Sequence, residues 1–199
     1  MLLDLATFMT LATACAPTVA PTTLLAVARV ESGLNSLAIG VNGPAVLRYQ
    51  ARTTEDAVRQ AEHLIAAGRD VDLGLAQINV RNLQRLGLTV ADAFDPCRNL
   101  RASARILAEG YQRALPASGP GQAALRIALS IYNTGHPDRG VRNGYVARVV
   151  AKAGLTGLDA AEPVGRAPSS APAASWDVFG RARLIPAEFV VRPNPGAQP

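Results

Sequence analysis

The sequence predicts a mainly α-helical domain that contains a small β-hairpin or ordered loop and is followed by a proline-rich tail. Apolar residues recur at three- and four-residue intervals through residues 1–158, and Gly or Pro punctuates the periodic stretches. Residues 159–199 are instead a Pro/Ala-rich linker and tail. A chain of 199 residues with 49% hydrophobic content can bury one core and carry such an appendage.

The best-defined predicted helix lies between Thr22 and Asn35. Thr22 is a candidate N-cap, and Gly33 is a candidate for the left-handed residue that follows a helix end. The positions three, four and seven residues before Glu31 are all apolar, namely Ala28, Val27 and Leu24. Glu31 is therefore predicted to project from the apolar face in the last helical turn.

This placement of Glu31 predicts unusual acid–base chemistry. Removal from water and the negative end of the helix dipole both disfavour the charged carboxylate, so the sequence predicts a raised pKa for Glu31. A carboxyl group that keeps its proton near neutral pH can act as a general acid. The alternative is a solvent-facing residue at a frayed helix end, and this stretch alone leaves both interpretations open.

The remaining elements are predicted from caps, stops and periodicity. They are a first helix (Leu2, Leu5, Phe8, Met9, Ala12), a hairpin or loop (Leu37 to Leu47) with a turn at Asn42-Gly43-Pro44, a helix from Thr53 to Gly68, a helix through Leu83 and Leu86 that stops at Gly87, a long helix from Asp95-Pro96 with a break at Pro116 to Gly121, a helix from Ala123 to Tyr132, and a short helix from Tyr145 to Gly154. Gly74 lies among aliphatic residues and indicates a tight turn or a close backbone approach.

The charge pattern narrows the function classes. The chain carries 20 Lys and Arg against 15 Asp and Glu, but the basic residues are scattered singly, so we expect no nucleic-acid partner. A mild basic excess also suits an anionic polymer such as a cell wall. The stretch Met1 to Ala14 lacks a basic flank and contains Asp4, which favours a first helix over a secretory signal. No apolar run reaches the roughly 20 residues that a membrane span needs.

The two cysteines, Cys15 and Cys97, are far apart in the sequence and lack the spacing of metal ligands. They form either one disulfide or two buried thiols, and we expect the disulfide if the compartment is oxidising. The two histidines, His63 and His136, lie in unrelated settings. The sequence therefore predicts no metal site and no cofactor.

The C-terminal tail combines a linker composition with large apolar residues. Seven of the 14 prolines lie in the last 40 residues. The only Trp of the chain, Trp176, begins a hydrophobic segment that extends to Val191. A solvated tail rarely keeps such residues, so residues 176–191 are predicted to dock on the domain or on a partner.

Three short motifs occur in order along the predicted helical domain. They are E-S-G-L-N (Glu31 to Asn35), G-L-A-Q-I-N (Gly74 to Asn79), and Y-N-T-G (Tyr132 to Gly135) followed by G-Y-V (Gly144 to Val146). Their order and spacing resemble the lysozyme-like lytic transglycosylases, and among these the specialised transglycosylase subunits of bacterial type IV secretion and conjugation systems. The resemblance covers roughly residues 2–153 and includes A-F-D-P-C-x-N-L (Ala93 to Leu100).

The resemblance implies a lysozyme-like helical fold with a groove for peptidoglycan glycan strands. Glu31 matches the catalytic acid/base, Gln77 the residue that hydrogen-bonds an N-acetyl sugar or a peptide stem, and Tyr132 the residue whose hydroxyl touches the catalytic carboxylate. Further groove positions are matched by Ser32, Asn133 and Tyr145. Gln77 and Asn79, candidates for substrate binding, could instead cap the following helix, and both tyrosines could be ordinary half-buried core residues.

The sequence also departs from the family pattern at three positions. Leu34 stands where an aromatic is common, and Thr134 replaces a small alanine. No serine precedes Gly74 at the position that many relatives use, which leaves the residue that holds the N-acetyl group open.

The implied reaction cleaves the β-1,4 bond between N-acetylmuramic acid and N-acetylglucosamine with a 1,6-anhydro product, opening the periplasmic cell wall for the secretion apparatus. One carboxyl group suffices for this lyase chemistry, whereas ordinary glycosidases use two. Asp70 or Asp72 is a candidate second carboxylate for true hydrolysis, although D-x-D is more typical of a turn. The alternative function is a non-catalytic scaffold that binds peptidoglycan and contacts secretion-system subunits through the tail.

Overall fold

A computed structural model describes residues 1–43, 47 and 49–154. The chain divides into two compact units, Met1–Ile106 and Leu107–Pro199, and the second is described as far as Gly154. The predicted boundary after residue 158 and the hydrophobic segment 176–191 lie outside the described residues and stay predictions.

The described residues are mainly helical with one small antiparallel sheet, which confirms the predicted fold class. The first unit contains α1 (Leu5–Cys15), α2 (Pro21–Glu31), β1 (Ile39–Val41), α3 (Thr54–Ala66), β2 (Val71–Leu73), β3 (Ile78–Asn79), a 3₁₀ turn (Val80–Asn82), α4 (Leu83–Leu86) and α5 (Val90–Phe94). Helix α6 (Pro96–Ser118) begins in the first unit and ends in the second, which also contains α7 (Gln122–Thr134), α8 (Arg139–Arg142) and α9 (Tyr145–Lys152). Helices α5 and α8 are additional to the predicted ones.

The three strands form an antiparallel sheet in the order β1-β2-β3. β1 lies within residues 37–47, the segment predicted to be a hairpin or an ordered loop, and its Ile39 is paired with Leu73 of β2. Residues 44–46 of that segment lie outside the described residues, so the choice between hairpin and loop stays a prediction. The local hairpin is formed by β2 and β3 across residues 74–77. The turn signal at Asn42-Gly43 directly follows the end of β1 at Val41.

Helix α2 begins two residues earlier than predicted. Pro21 is its first residue and Ala20 occupies the N-cap position without a side-chain hydrogen bond, so Thr22 is not the cap. Pro at the first helical position has a φ angle already suited to a helix and loses no intrahelical hydrogen bond. The end is as predicted: the helix stops at Glu31, Ser32 is the C-cap, and Gly33 follows with φ +61°.

Two groups of buried side chains form the core of the first unit. One packs around α1 and α2 and consists of Phe8, Ala12, Ala16, Leu24, Leu25, Ala28, Leu75, Leu100 and Ala104. The other packs around the sheet and consists of Leu37, Ile39, Ala51, Ala57, Ala61, Val71, Leu73, Ile78, Leu83, Ala93, Phe94 and Ala102. Leu75 belongs to the first group while its neighbour Leu73 belongs to the second. The β2–β3 loop is therefore anchored in the first group by Leu75, while the end of β2 that precedes it belongs to the second group.

In the second unit, α6 continues through Pro116 and ends at Ser118, so the predicted break begins only at Gly119. A proline costs a helix one hydrogen bond, but near the end few turns depend on it. The last turn is closed by the Ser118 hydroxyl, which donates to the Ala114 carbonyl at 3.0 Å. In the second unit, α7, α8 and α9 pack against one another, with Val146 and Val149 of α9 buried.

Cys15 and Cys97 are joined in a disulfide, with 5.4 Å between their Cα atoms. The bond connects the last residue of α1 to the second residue of α6.

Among the residues that the structure describes, no helix is long and apolar enough to cross a membrane. Nor does the described part of the chain hold a group of three His, Cys, Asp or Glu side chains that could bind a metal ion.

Removing this disulfide is expected to destabilise the protein by roughly 4 kcal/mol, because the bridge restricts a long loop of the unfolded chain. Urea unfolding of the oxidised protein, followed by fluorescence with and without reductant, measures the loss. The Cys15→Ala/Cys97→Ala variant is the control, since reductant should not alter its unfolding midpoint. Equal midpoints for the oxidised and reduced wild type would contradict the prediction.

Candidate active site

Glu31 occupies the position that the sequence predicts, at the C-terminal end of α2 and partly buried. The three residues below it on the helix face are buried, with 1% exposure at Leu24 and 0% at Val27 and Ala28. This combination of apolar surroundings and a helix C-terminus is the setting from which a raised pKa is expected. The raised pKa itself stays a prediction.

Ser32 connects the first two motifs within the first unit. Its hydroxyl oxygen lies 2.6 Å from the Leu75 carbonyl oxygen and 3.2 Å from that of Ala28. A hydroxyl has one hydrogen, and the shorter contact identifies Leu75 as the main acceptor. Ser32 therefore connects the end of the Glu31 helix to the β2–β3 loop that precedes Gln77. Its predicted role in lining a groove stays a prediction.

Gln77 has an unusual backbone conformation, with φ +50°. Its side-chain amino group donates to the carbonyl oxygens of Gly74 at 2.9 Å and of Ala38 at 3.2 Å. Two acceptors on one side require the amino group to lie there, so the orientation of the carboxamide follows from the hydrogen bonds. The oxygen Oε1 is then the atom with which Gln77 can accept a hydrogen from a ligand N–H or O–H.

Gly40 of β1 leaves the space that the Gln77 carboxamide fills. A Cβ atom added to Gly40 would lie 2.6 Å from Gln77 Oε1. Contacts that short do not occur between a Cβ and an oxygen, so a residue larger than glycine would displace the end of the Gln77 side chain. The glycine in β1 is therefore part of what positions Gln77.

Asn79 makes the hydrogen bonds of a structural residue. Its amino group donates to Asp70 and Asp72, both at 2.8 Å, and its oxygen accepts from the Arg81 amide at 3.0 Å, which caps the 3₁₀ turn. This is the capping alternative that the sequence left open for Asn79. Gln77 does not act as a cap, because Asn79 occupies the N-cap position of the turn.

Asp72 belongs to β2 rather than to a turn, which corrects the interpretation of D-x-D. Burial raises the pKa of Asp72, and hydrogen bonds from Asn79 and Asn42 oppose that rise. Asp70 is paired with the Arg81 guanidinium at 3.2 Å. Both carboxylates are thus held by amide and guanidinium groups of nearby residues.

The second unit contains the third motif at the end of α7. Tyr132 is partly buried and Asn133 is exposed. The Asn133 side-chain oxygen accepts from Asn143 Nδ2 at 2.9 Å, and Asn143 in turn accepts from the Tyr145 amide at 2.9 Å. Tyr145 itself is 1% exposed, which is the burial of a core residue. A direct contact between Tyr145 and a sugar would require its ring to become accessible.

Hydrogen bonds of Thr134 and Ser130 stabilise the turn at the Y-N-T-G segment. The Thr134 hydroxyl donates to the Ser130 carbonyl at 2.8 Å, a hydrogen bond that the more usual alanine could not make. The buried Ser130 hydroxyl donates to the His136 carbonyl at 2.7 Å and accepts from the Gly140 amide at 2.8 Å. The departure at Thr134 therefore has a local structural reason.

Two buried polar residues, Asn99 and Ser130, have structural roles that the sequence analysis did not assign. Each is 0% exposed, and each makes hydrogen bonds to backbone groups of a loop beside a motif. The signal that could have found them is a polar residue next to buried apolar ones: Asn99 precedes Leu100 and Ser130 follows Leu129.

The transglycosylase SLT domain family matches residues 8–148 of the chain. The chain belongs to this family. All the predicted site residues, from Glu31 to Tyr145, lie within the matched part. No solved structure matches the chain.

Several curated relatives of this SLT-domain chain carry the name virB1. Type IV secretion system protein virB1 of Brucella abortus is 44% identical over 155 residues, which are 75% of this chain and 65% of the relative. Protein virB1 of Agrobacterium fabrum is 37% identical over 182 residues, 89% of this chain and 72% of the relative. The chain thus spans 65% of the length of the Brucella relative, slightly less than two thirds.

Proposed function

We propose that this SLT-domain chain is a peptidoglycan lytic transglycosylase that uses Glu31 as its single acid/base. The proposal is supported by the family match and by the setting of Glu31 at the end of a helix with a buried apolar face. The observation that carries it is the hydrogen bond between Ser32 and the Leu75 carbonyl. This bond joins the catalytic helix of the first unit to the loop of Gln77, the residue expected to hold the substrate.

The proposed reaction proceeds in two proton transfers. Glu31 donates its proton to the oxygen that bridges N-acetylmuramic acid and N-acetylglucosamine, and the bond from that oxygen to the muramyl C1 breaks. The acetamido group of the muramyl residue stabilises the positive charge that develops at C1. The Glu31 carboxylate then takes the proton of the 6-hydroxyl, whose oxygen bonds to C1 and closes the 1,6-anhydro ring. The tethered nucleophile avoids the entropy cost of recruiting water.

In the proposed reaction, Gln77 orients the substrate through a hydrogen bond. Because its amino group is bound to Gly74 and Ala38, its Oε1 is the atom that accepts from the substrate. The complementary substrate group is an N–H, either of an N-acetyl group or of a peptide stem. A hydrogen bond from the reacting acetamido N–H would also increase the electron density on its carbonyl oxygen, which faces C1.

We also propose that the enzyme works in the periplasm as part of a type IV secretion or conjugation apparatus. Support comes from the Brucella relative, whose name is type IV secretion system protein. The Agrobacterium match covers 89% of the 199 residues, so it extends past Gly154 into the tail. Residues 176–191 of this tail are the proposed contact with other subunits, through burial of Trp and Phe side chains.

The nature of the product tests the proposed activity. Purified peptidoglycan digested with the protein should yield muramyl ends that are lighter by one water than reducing ends, as measured by mass spectrometry. Reducing ends as the main product would show that water is the acceptor and would point to Asp70 or Asp72 as a second carboxylate. Sedimentation with cell walls without any released fragments would contradict the activity and favour the non-catalytic scaffold.

A further inference from the structure

We propose that Asn99 is a positioning residue for Gln77, which it holds through the backbone of the β2–β3 loop without touching the substrate. The inference rests on the proposed function for its kinetic consequences. Its structural basis lies entirely in the first unit.

The Asn99 carboxamide uses its whole donor capacity on the backbone around the loop. Asn99 lies in the first turn of α6 and is 0% exposed. Its amino group donates to the Leu73 carbonyl at 3.0 Å and the Ala93 carbonyl at 2.7 Å, and its oxygen accepts from the Ala76 amide at 2.8 Å. A single buried side chain thus binds the loop on both sides of Gly74 and ties it to α5.

Gly74 allows the loop to approach Asn99 this closely. Its φ is +76°, and an added Cβ would lie 2.1 Å from the Ala93 carbonyl oxygen and 2.5 Å from Asn99 Nδ2. Only glycine fits both the backbone angle and the space. The close contact at Gly74 and the three hydrogen bonds of Asn99 therefore depend on each other.

The hydrogen bonds of Asn99 hold Gln77 in its conformation. Its φ of +50° is uncommon for a residue other than glycine, and such a conformation persists only where the surroundings hold it. Gln77 directly follows Ala76, whose amide is bound by Asn99, and its side chain binds the carbonyl of Gly74, the residue packed against Asn99. Release of Asn99 would allow residues 74–77 to relax, and Oε1 of Gln77 would lose its fixed direction.

Asn99→Asp tests the proposal with little change in shape. The variant keeps an acceptor for the Ala76 amide but turns an oxygen toward the carbonyls of Leu73 and Ala93, which repel it. We expect kcat/KM for glycan cleavage to fall by about tenfold to a hundredfold, because a displaced binding group costs catalysis even when it is distant from the chemistry. If Asn99→Asp does not fold, the same measurement is made on Asn99→Ser, which avoids the repulsion.

A double-mutant cycle with Gln77→Ala separates positioning from general damage. Once the Gln77 side chain is absent, Asn99→Asp should lower kcat/KM by no more than about twofold further. Gly40→Ala is a positive control, since its Cβ displaces the Gln77 carboxamide by another route and should show the same dependence on Gln77. Leu64→Ala, in α3 outside the loop, is the control for loss of stability alone and should act independently of Gln77.

NMR tests the positioning without any reliance on catalysis. A positive φ gives Gln77 a strong intraresidue NOE between its amide hydrogen and Hα, and this NOE should weaken in Asn99→Asp but not in Leu64→Ala. An unchanged NOE, or a fall in kcat/KM equally large with and without Gln77, would overturn the proposal. If the wild type releases no anhydro product, the proposed function fails, while the NOE still decides whether Asn99 positions Gln77.

Discussion

Glu31→Gln is expected to lower the rate of glycan cleavage by about 10²- to 10⁴-fold, because the amide cannot donate and then recover a proton. The amide has nearly the shape of the carboxyl group, so the fold should be retained. The rate of release of muropeptides from purified peptidoglycan measures the loss, and the unfolding midpoint in urea checks the fold.

Glu62→Gln is the matched control for this prediction. Glu62 is exposed on α3 of the same unit, so the same chemical change there should leave the cleavage rate unaltered. An activity of Glu31→Gln within tenfold of the wild type would mean that the proton is supplied by another group. The half-buried Asp72, whose pKa is raised by burial, would then be the next candidate.

Gly74→Ala is expected to destabilise the protein by about 2–5 kcal/mol, the combined cost of overpacking and of a left-handed backbone angle for alanine. Its new methyl group would overlap the Ala93 carbonyl oxygen, which belongs to the backbone and cannot rotate away. Urea unfolding at equilibrium gives the loss of free energy.

Gly87→Ala isolates the backbone part of this cost. Gly87 ends α4 with φ +68°, close to the +76° of Gly74, but nothing lies within 4 Å of an added Cβ. Its substitution should cost only about 1–2 kcal/mol, the strain of the left-handed angle alone. The effect of alanine on the unfolded chain is common to both variants and cancels in the comparison. Equal losses at Gly74 and Gly87 would contradict the close approach of the loop to Asn99.

The local elements of this protein are predictable from its sequence because their signals are short-range. The Thr53 side chain accepts from the Asp56 amide at the start of α3, and Gly87 ends α4. Glu31 closes α2 as its apolar spacing predicts. Caps and stops act within one helical turn, so no knowledge of distant residues is needed to recognise them. Motif order likewise identifies the family without a structure.

Only the tertiary structure decided which distant groups meet. The partner of β1 lies some 30 residues later in β2, and the sequence pattern of β1 contains no information about that choice. The direction of the Gln77 carboxamide depends on the carbonyl of Ala38, directly before β1, and on the absence of a side chain at Gly40 in β1. A polar residue such as Asn99 looks like an ordinary helix residue until its three backbone partners are known.

Whether the other predicted site residues are accessible also depends on tertiary contacts. Tyr132 and Tyr145 have equal status as motif tyrosines, yet Tyr132 is partly buried whereas Tyr145 is 1% exposed. Asn79 has the amide of a ligand-binding residue, but Asp70 and Asp72 take both of its amino hydrogens. Residue type and spacing determine what a side chain can do chemically. Which of these side chains remains available to a substrate depends on the contacts made by the folded chain around it.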